Sequence, residues 1–116
     1  LEESQHTKMD TLIVEELAAT ATDKEIDQAF QEYGEIGAFI DEGSKQQAEF
    51  NTEAFIAATG RKLDKRERQE MTDAIWKGMR WTYLGTGMTH RNFLDTVQDI
   101  KPEARAQIEK MAPAFC

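Results

Sequence analysis

The stretch Asp64–Leu84, DKRERQEMTDAIWKGMRWTYL, decides the fold class. Asp64 followed by Glu67 is a capping-box pattern, in which each side chain satisfies the other residue's backbone N–H, and it predicts a helix beginning at Lys65. Within that helix Met71, Ile75, Trp76, Met79 and Tyr83 recur at three and four residues, the period of one helical face. Such a stripe of large side chains reads first as core. Gly85-Thr86-Gly87 is expected to end the helix.

Upstream, Thr22 and Glu25 repeat the capping box and start a helix near Asp23. It is expected to turn Ile26, Ala29, Phe30 and Tyr33 inward and to bend at Gly34 or Gly37. From Glu35 to about Thr59 the stripe Ile36, Ile40, Gly43, Gln47, Phe50 and Ala54 keeps helical spacing. Gly43 and the pair Asn51-Thr52 are possible breaks, and Gly60 is a C-cap. A first helix spans about Leu1–Ala19, with His6, Asp10, Ile13 and Leu17 on its inner stripe. Downstream, Thr89 can cap a short helix through Phe93, Leu94, Val97 and Ile100, and Pro102 opens another that presents Ile108 and Met111. No sustained two-residue alternation competes with this reading. The expectation is an all-α fold, an irregular bundle of about five or six helices in one domain spanning residues 1–116.

With 116 residues the chain holds one core, and 40% hydrophobic against 31% charged side chains describes a folded domain. The formal net charge of −8 opposes binding to phosphate backbones, so nucleic-acid binding is not expected. Charge is uneven: residues 1–60 carry 3 basic and 14 acidic side chains, residues 61–116 carry 11 and 8. Pairing between the halves, within one fold or across a dimer, explains the split. The single cysteine, Cys116, excludes an intrachain disulfide and fits a cytoplasmic protein. No apolar run is long enough to span a bilayer. The chain begins at Leu1 inside a helical pattern, without an initiator Met or a capping residue, as expected of part of a larger gene product.

Two histidines limit any chemistry that depends on imidazole. In Glu3-Ser4-Gln5-His6 a carboxylate and an imidazole three apart project from one helix face and can bind one metal ion together, with Glu2 and Asp10 a turn away. This Glu-x-x-His resembles the ferritin-like diiron-carboxylate proteins. The resemblance implies that Glu3 and His6 are ligands to iron or manganese in an oxidoreductase-type domain, with this chain as the C-terminal part of a longer ferritin-like protein. His90 has Gly87, not Glu, three residues before it, so the family's second motif is absent. A complete site then needs an upstream segment, or the same pair from a second copy. Glu35, Glu42 and Glu49, seven apart on one helix face, are candidate lone carboxylates, and that face also reads as solvated. Without a metal, Glu3 and His6 read as an ordinary exposed pair near a helix start.

Other residues yield structural readings. His90 stands beside a helix cap, and Arg80, inside an apolar stripe, needs a carboxylate partner from the acidic half. Gly85-x-Gly87 lacks the strand and the Lys-Ser/Thr of a nucleotide cradle. The segment Arg61–Arg68 reads as a solvated helix start or docking patch, and net acidity disfavours a helix-turn-helix DNA reader built on it. Cys116 has no motif around it. Two functions follow: a metal-binding oxidoreductase-type domain, or a non-enzymatic helical interaction module that forms a homodimer or docks another protein.

Overall fold

In the computed structural model, which describes the backbone of residues 2–116 and the side chains of residues 5–116, the chain is all-α, with no strand among the described residues. Five helices follow one another: α1 (Glu2–Thr20), α2 (Asp23–Thr59), α3 (Lys65–Arg80), α4 (Arg91–Ile100) and α5 (Pro102–Met111). A π turn, Trp81–Gly85, carries α3 into a last turn, Thr86–Met88, and a 3-10 turn, Ala112–Phe115, closes the chain.

Both capping boxes form. Glu25 N–H donates to Thr22 Oγ1 at 3.4 Å while Thr22 N–H donates to Glu25 Oε2 at 2.8 Å. Asp64 and Glu67 exchange the same pair of bonds at 2.9 and 2.8 Å. Gly60 terminates α2 at φ 65°, a left-handed conformation that favours glycine. The short helix α4 is capped one residue later than expected, by His90, whose Nδ1 accepts from Asn92 N–H at 3.2 Å. Thr89 instead donates its hydroxyl to Gly85 O at 2.7 Å.

The helix α2 is unbroken for 37 residues, without the break expected at Gly43 or Asn51-Thr52. Side-chain bonds between successive turns brace it, as in Gln31 to Glu35 and Gln47 to Asn51, and the Thr52 hydroxyl bonds back to Ala48 O. At 1.5 Å per residue α2 is about 55 Å long. It therefore sets the 57 Å long axis of the molecule.

Two bodies pack along this spine. Against the C-terminal half of α2 lies α3, with Ser44, Ala48 and Thr52 buried between them. These small side chains allow close approach, and Thr52 and Thr72 share a hydroxyl hydrogen bond of 2.9 Å across the contact. Against the N-terminal half lies the main core, Met88, Val97, Ala104, Ile108 and Ala112, with Phe30, Leu84, Phe93, Leu94 and Phe115 packed on it. Tyr33 meets Phe93 at 5.7 Å between ring centres, and Lys101 pairs with Asp27. The tripeptide Gly85-Thr86-Gly87 does not end α3, because the π turn takes up an extra residue and keeps the chain helical to Met88. This turn brings Leu84 and Gly85 inward and leaves Tyr83 63% exposed.

Two expected inner stripes lie outside. On α2, Ile36, Gly43, Phe50 and Ala54 are exposed, and the inward face is instead Asp41, Ser44, Ala48, Thr52 and Phe55. On α1, which touches mainly α4, His6, Asp10, Ile13 and Leu17 are all exposed. Met111, expected inward, is exposed as well.

Candidate functional site

The sequence directs attention first to Glu3 and His6. The Glu3 side chain lies outside the described residues; its backbone belongs to α1. His6 is exposed on α1, one turn before the exposed Asp10. Among the described residues no three His, Cys, Asp or Glu side chains gather closely enough to hold a metal ion. Glu35, Glu42 and Glu49 line the outer side of α2, all exposed. Glu35 accepts from Gln31 at 2.8 Å and Glu42 from Gln46 at 3.5 Å. His90 is engaged in its cap, and Cys116 is exposed, its thiol donating to Ala112 O at 3.1 Å.

The most elaborate polar constellation surrounds Arg80. Its Nη2 donates to Asp41 Oδ2 at 3.0 Å, and Nε sits 2.7 Å from Asp41 Oδ1, at an angle that makes no hydrogen bond. Trp76 Nε1 donates to Asp41 Oδ1 at 3.0 Å. The guanidinium carbon lies 4.7 Å from the Trp76 ring centre and 4.6 Å from that of Phe115, within cation–π range of both. Lys45 Nζ reaches the Trp76 ring at 5.6 Å. Arg80 thus finds the carboxylate expected from the acidic half. One ion pair joins α2, α3 and the C-terminal turn. The indole N–H, Arg80 Nη2 and both Asp41 oxygens are hydrogen-bonded within the cluster, and Arg80 Nε, buried without a hydrogen bond, stays in ion-pair contact with Asp41, so the cluster is a structural clamp. Glu53 with Arg68 and Asp27 with Lys101 add two further bridges between the halves.

Two open surface hollows accompany these features, one along α2 at Lys24, Asp27, Gln31 and Glu35, the other between α2 and α3 at Glu49, Glu53, Arg68 and Thr72. Neither is lined by an imidazole or a thiol. No helix among the described residues is long and apolar enough to cross a membrane.

What stands out is apolar surface. Met9, Leu12, Ile13, Val14 and Leu17 on α1 are roughly half exposed or more, and so are Ile36, Phe39 and Phe50 on α2, Phe39 reaching 80%. A compact monomer of 13.2 kDa exposes roughly 6,400 Å². This chain exposes 8,811 Å². Its radius of gyration is 18.0 Å, against about 13 Å for a compact domain of this length. Comparison with protein-family models, curated proteins and solved structures gave no match.

Proposed function

We propose that the chain is a non-enzymatic helical interaction module that works by self-association. One observation carries this reading: surface exceeding that of a compact monomer by roughly 2,400 Å², the scale of an obligate interface, rich in Phe, Ile and Leu. Ordinary monomers keep contiguous apolar patches to a few hundred Å². Each chain also carries −8, so association opposes like net charges and is strengthened by salt that screens them. Light scattering coupled to size exclusion tests it. The expected mass is twice that of the chain or more at micromolar concentration, with more dimer at high than at low salt. A chain that stays monomeric in both overturns it.

A second reading attaches to α1. His6 and Asp10 share an exposed face with Ile13 and Leu17, so whatever covers the apolar residues also shelters the imidazole. In this reading Glu3 and His6 are half of an iron or manganese site of ferritin-like ancestry, completed by the same pair from a second copy. One carboxylate and one imidazole leave a six-coordinate ion largely unfilled, and the doubled set is the carboxylate–imidazole mixture that such ions accept. Elemental analysis of the assembled protein tests it. Stoichiometric iron or manganese that is lost in Glu3→Gln and His6→Ala supports the pair; metal at trace level in the assembled wild type refutes it.

A further inference from the structure

We infer that two copies pair through the outer face of α2, crossing at Gly43, an inference that rests on the self-association reading above. At 3.6 residues per turn Ile36, Phe39, Ile40, Gly43, Gln47, Phe50 and Ala54 fall on one face of this helix. That face is turned away from α3, whose contact uses Ser44, Ala48 and Thr52. The apolar side chains stay exposed although the helix is continuous beneath them: Phe39 at 80%, Phe50 at 68%, Ile36 at 60%.

Gly43 is the second observation. It occupies the middle of the face, seven residues from Ile36 and seven from Phe50. A glycine inside a helix is unfavourable, and nothing in its own chain uses the space: a Cβ there meets no atom within 4 Å. A glycine between flanking large residues is what a close helix crossing requires, because the backbones meet at the gap and the large side chains pack on either side of it. The face is also self-complementary, since a two-fold axis through Gly43 places equal lengths of apolar helix on each side of the crossing.

The area is sufficient. Ile36, Phe39, Ile40 and Phe50 expose on the order of 500 Å² per chain, and with Tyr33, Ala54 and the stems of neighbouring Gln and Glu residues the pair reaches about 1,200 Å² or more of total buried surface, the range of specific interfaces. Glu32, Glu35, Glu42 and Glu49 border or lie beside the face, and no cation pairs with any of them among the described residues. Two such acidic margins repel when the copies meet, which gives this contact a salt dependence opposite to that of a pairing between oppositely charged surfaces.

Sedimentation equilibrium on the full chain tests the contact with Ile36→Glu and Phe50→Glu, both at positions outside the chain's own core. Circular dichroism first establishes that each variant retains its helix content. Each substitution is expected to weaken the dimer at least tenfold, the same change at exposed Tyr83 to leave it intact, and Gly43→Cys in a Cys116→Ser background to cross-link two chains on mild oxidation. A wild-type dimer that survives both Glu substitutions and fails to cross-link through position 43 overturns this face and leaves self-association standing. A wild-type chain that never dimerises overturns both.

Discussion

Arg80 shows how a charge is kept in a small core. Its guanidinium and the Asp41 carboxylate are only 23% and 20% exposed, so each depends on the other and on the Trp76 indole N–H for what water no longer supplies. Asp41→Ala leaves the guanidinium between two aromatic rings without its counter-ion. The expected cost is about 2–3 kcal/mol, below the range for fully buried pairs because some solvent still reaches this one. Urea denaturation checks it, and a loss under about 0.5 kcal/mol contradicts the clamp. Tyr33 reports on the other body. Burial against Phe93 raises its phenol above the ordinary value of 10.0, because the tyrosinate is poorly solvated there. The unfolded chain therefore ionises first. The stability that Tyr33 contributes is fully present below the ordinary value and is lost as pH rises through the raised one. In a Tyr83→Phe chain, absorbance titration is expected to give one phenol with a midpoint above 10.0, coincident with alkaline loosening of the C-terminal helices; a midpoint at or below the ordinary value contradicts the contact.

At the level of elements, glycines separate what local sequence decides from what packing decides. Gly34→Ala adds a methyl to open space inside α2 and is expected to stabilise by about 0.5–1 kcal/mol. Gly85→Ala drives a Cβ to 2.5 Å from Phe115 O and 2.7 Å from the Trp81 ring, and is expected to destabilise by about 1–3 kcal/mol. Thermal unfolding of the two variants gives opposite shifts, and shifts of the same sign contradict this assignment of space. The sequence made helix starts legible because a capping box is a contact between residues three apart, and both form where Thr22 and Asp64 announce them. The π turn is not legible from local spacing, and the close approach at its end is tertiary: Gly85 fits against Phe115, thirty residues on. The inner face of α2 differs from the one that spacing selects for a related reason. A search for large apolar side chains finds Ile36 and Phe50, whereas the contact with α3 is made by Ser44, Ala48 and Thr52, whose smallness lets two helices approach. Asp41 stands on that same small-residue stripe, the signal by which it could have been found. The Arg80 pair is legible in the sequence because a guanidinium within an apolar stripe demands an anion, and the acidic half supplies Asp41.

For the molecule as a whole, the charge split between the halves is absorbed in part internally, through Asp41–Arg80, Glu53–Arg68 and Asp27–Lys101. Also left unmatched is apolar surface: a spine of about 55 Å with one face against α3 and another bare, and α1 with its stripe outward. The large residues counted as core from sequence form two sets, one that closes the chain on itself and one that the single chain cannot bury. Self-association accounts for the second set. Hydroxyl-radical footprinting of Phe39 and Phe50 tests this most directly, because both rings are more than two-thirds exposed in the single chain. The account predicts that their oxidation rates fall severalfold between nanomolar and high micromolar protein while that of Tyr83 holds steady. Equal reactivity of both rings at every concentration would contradict it.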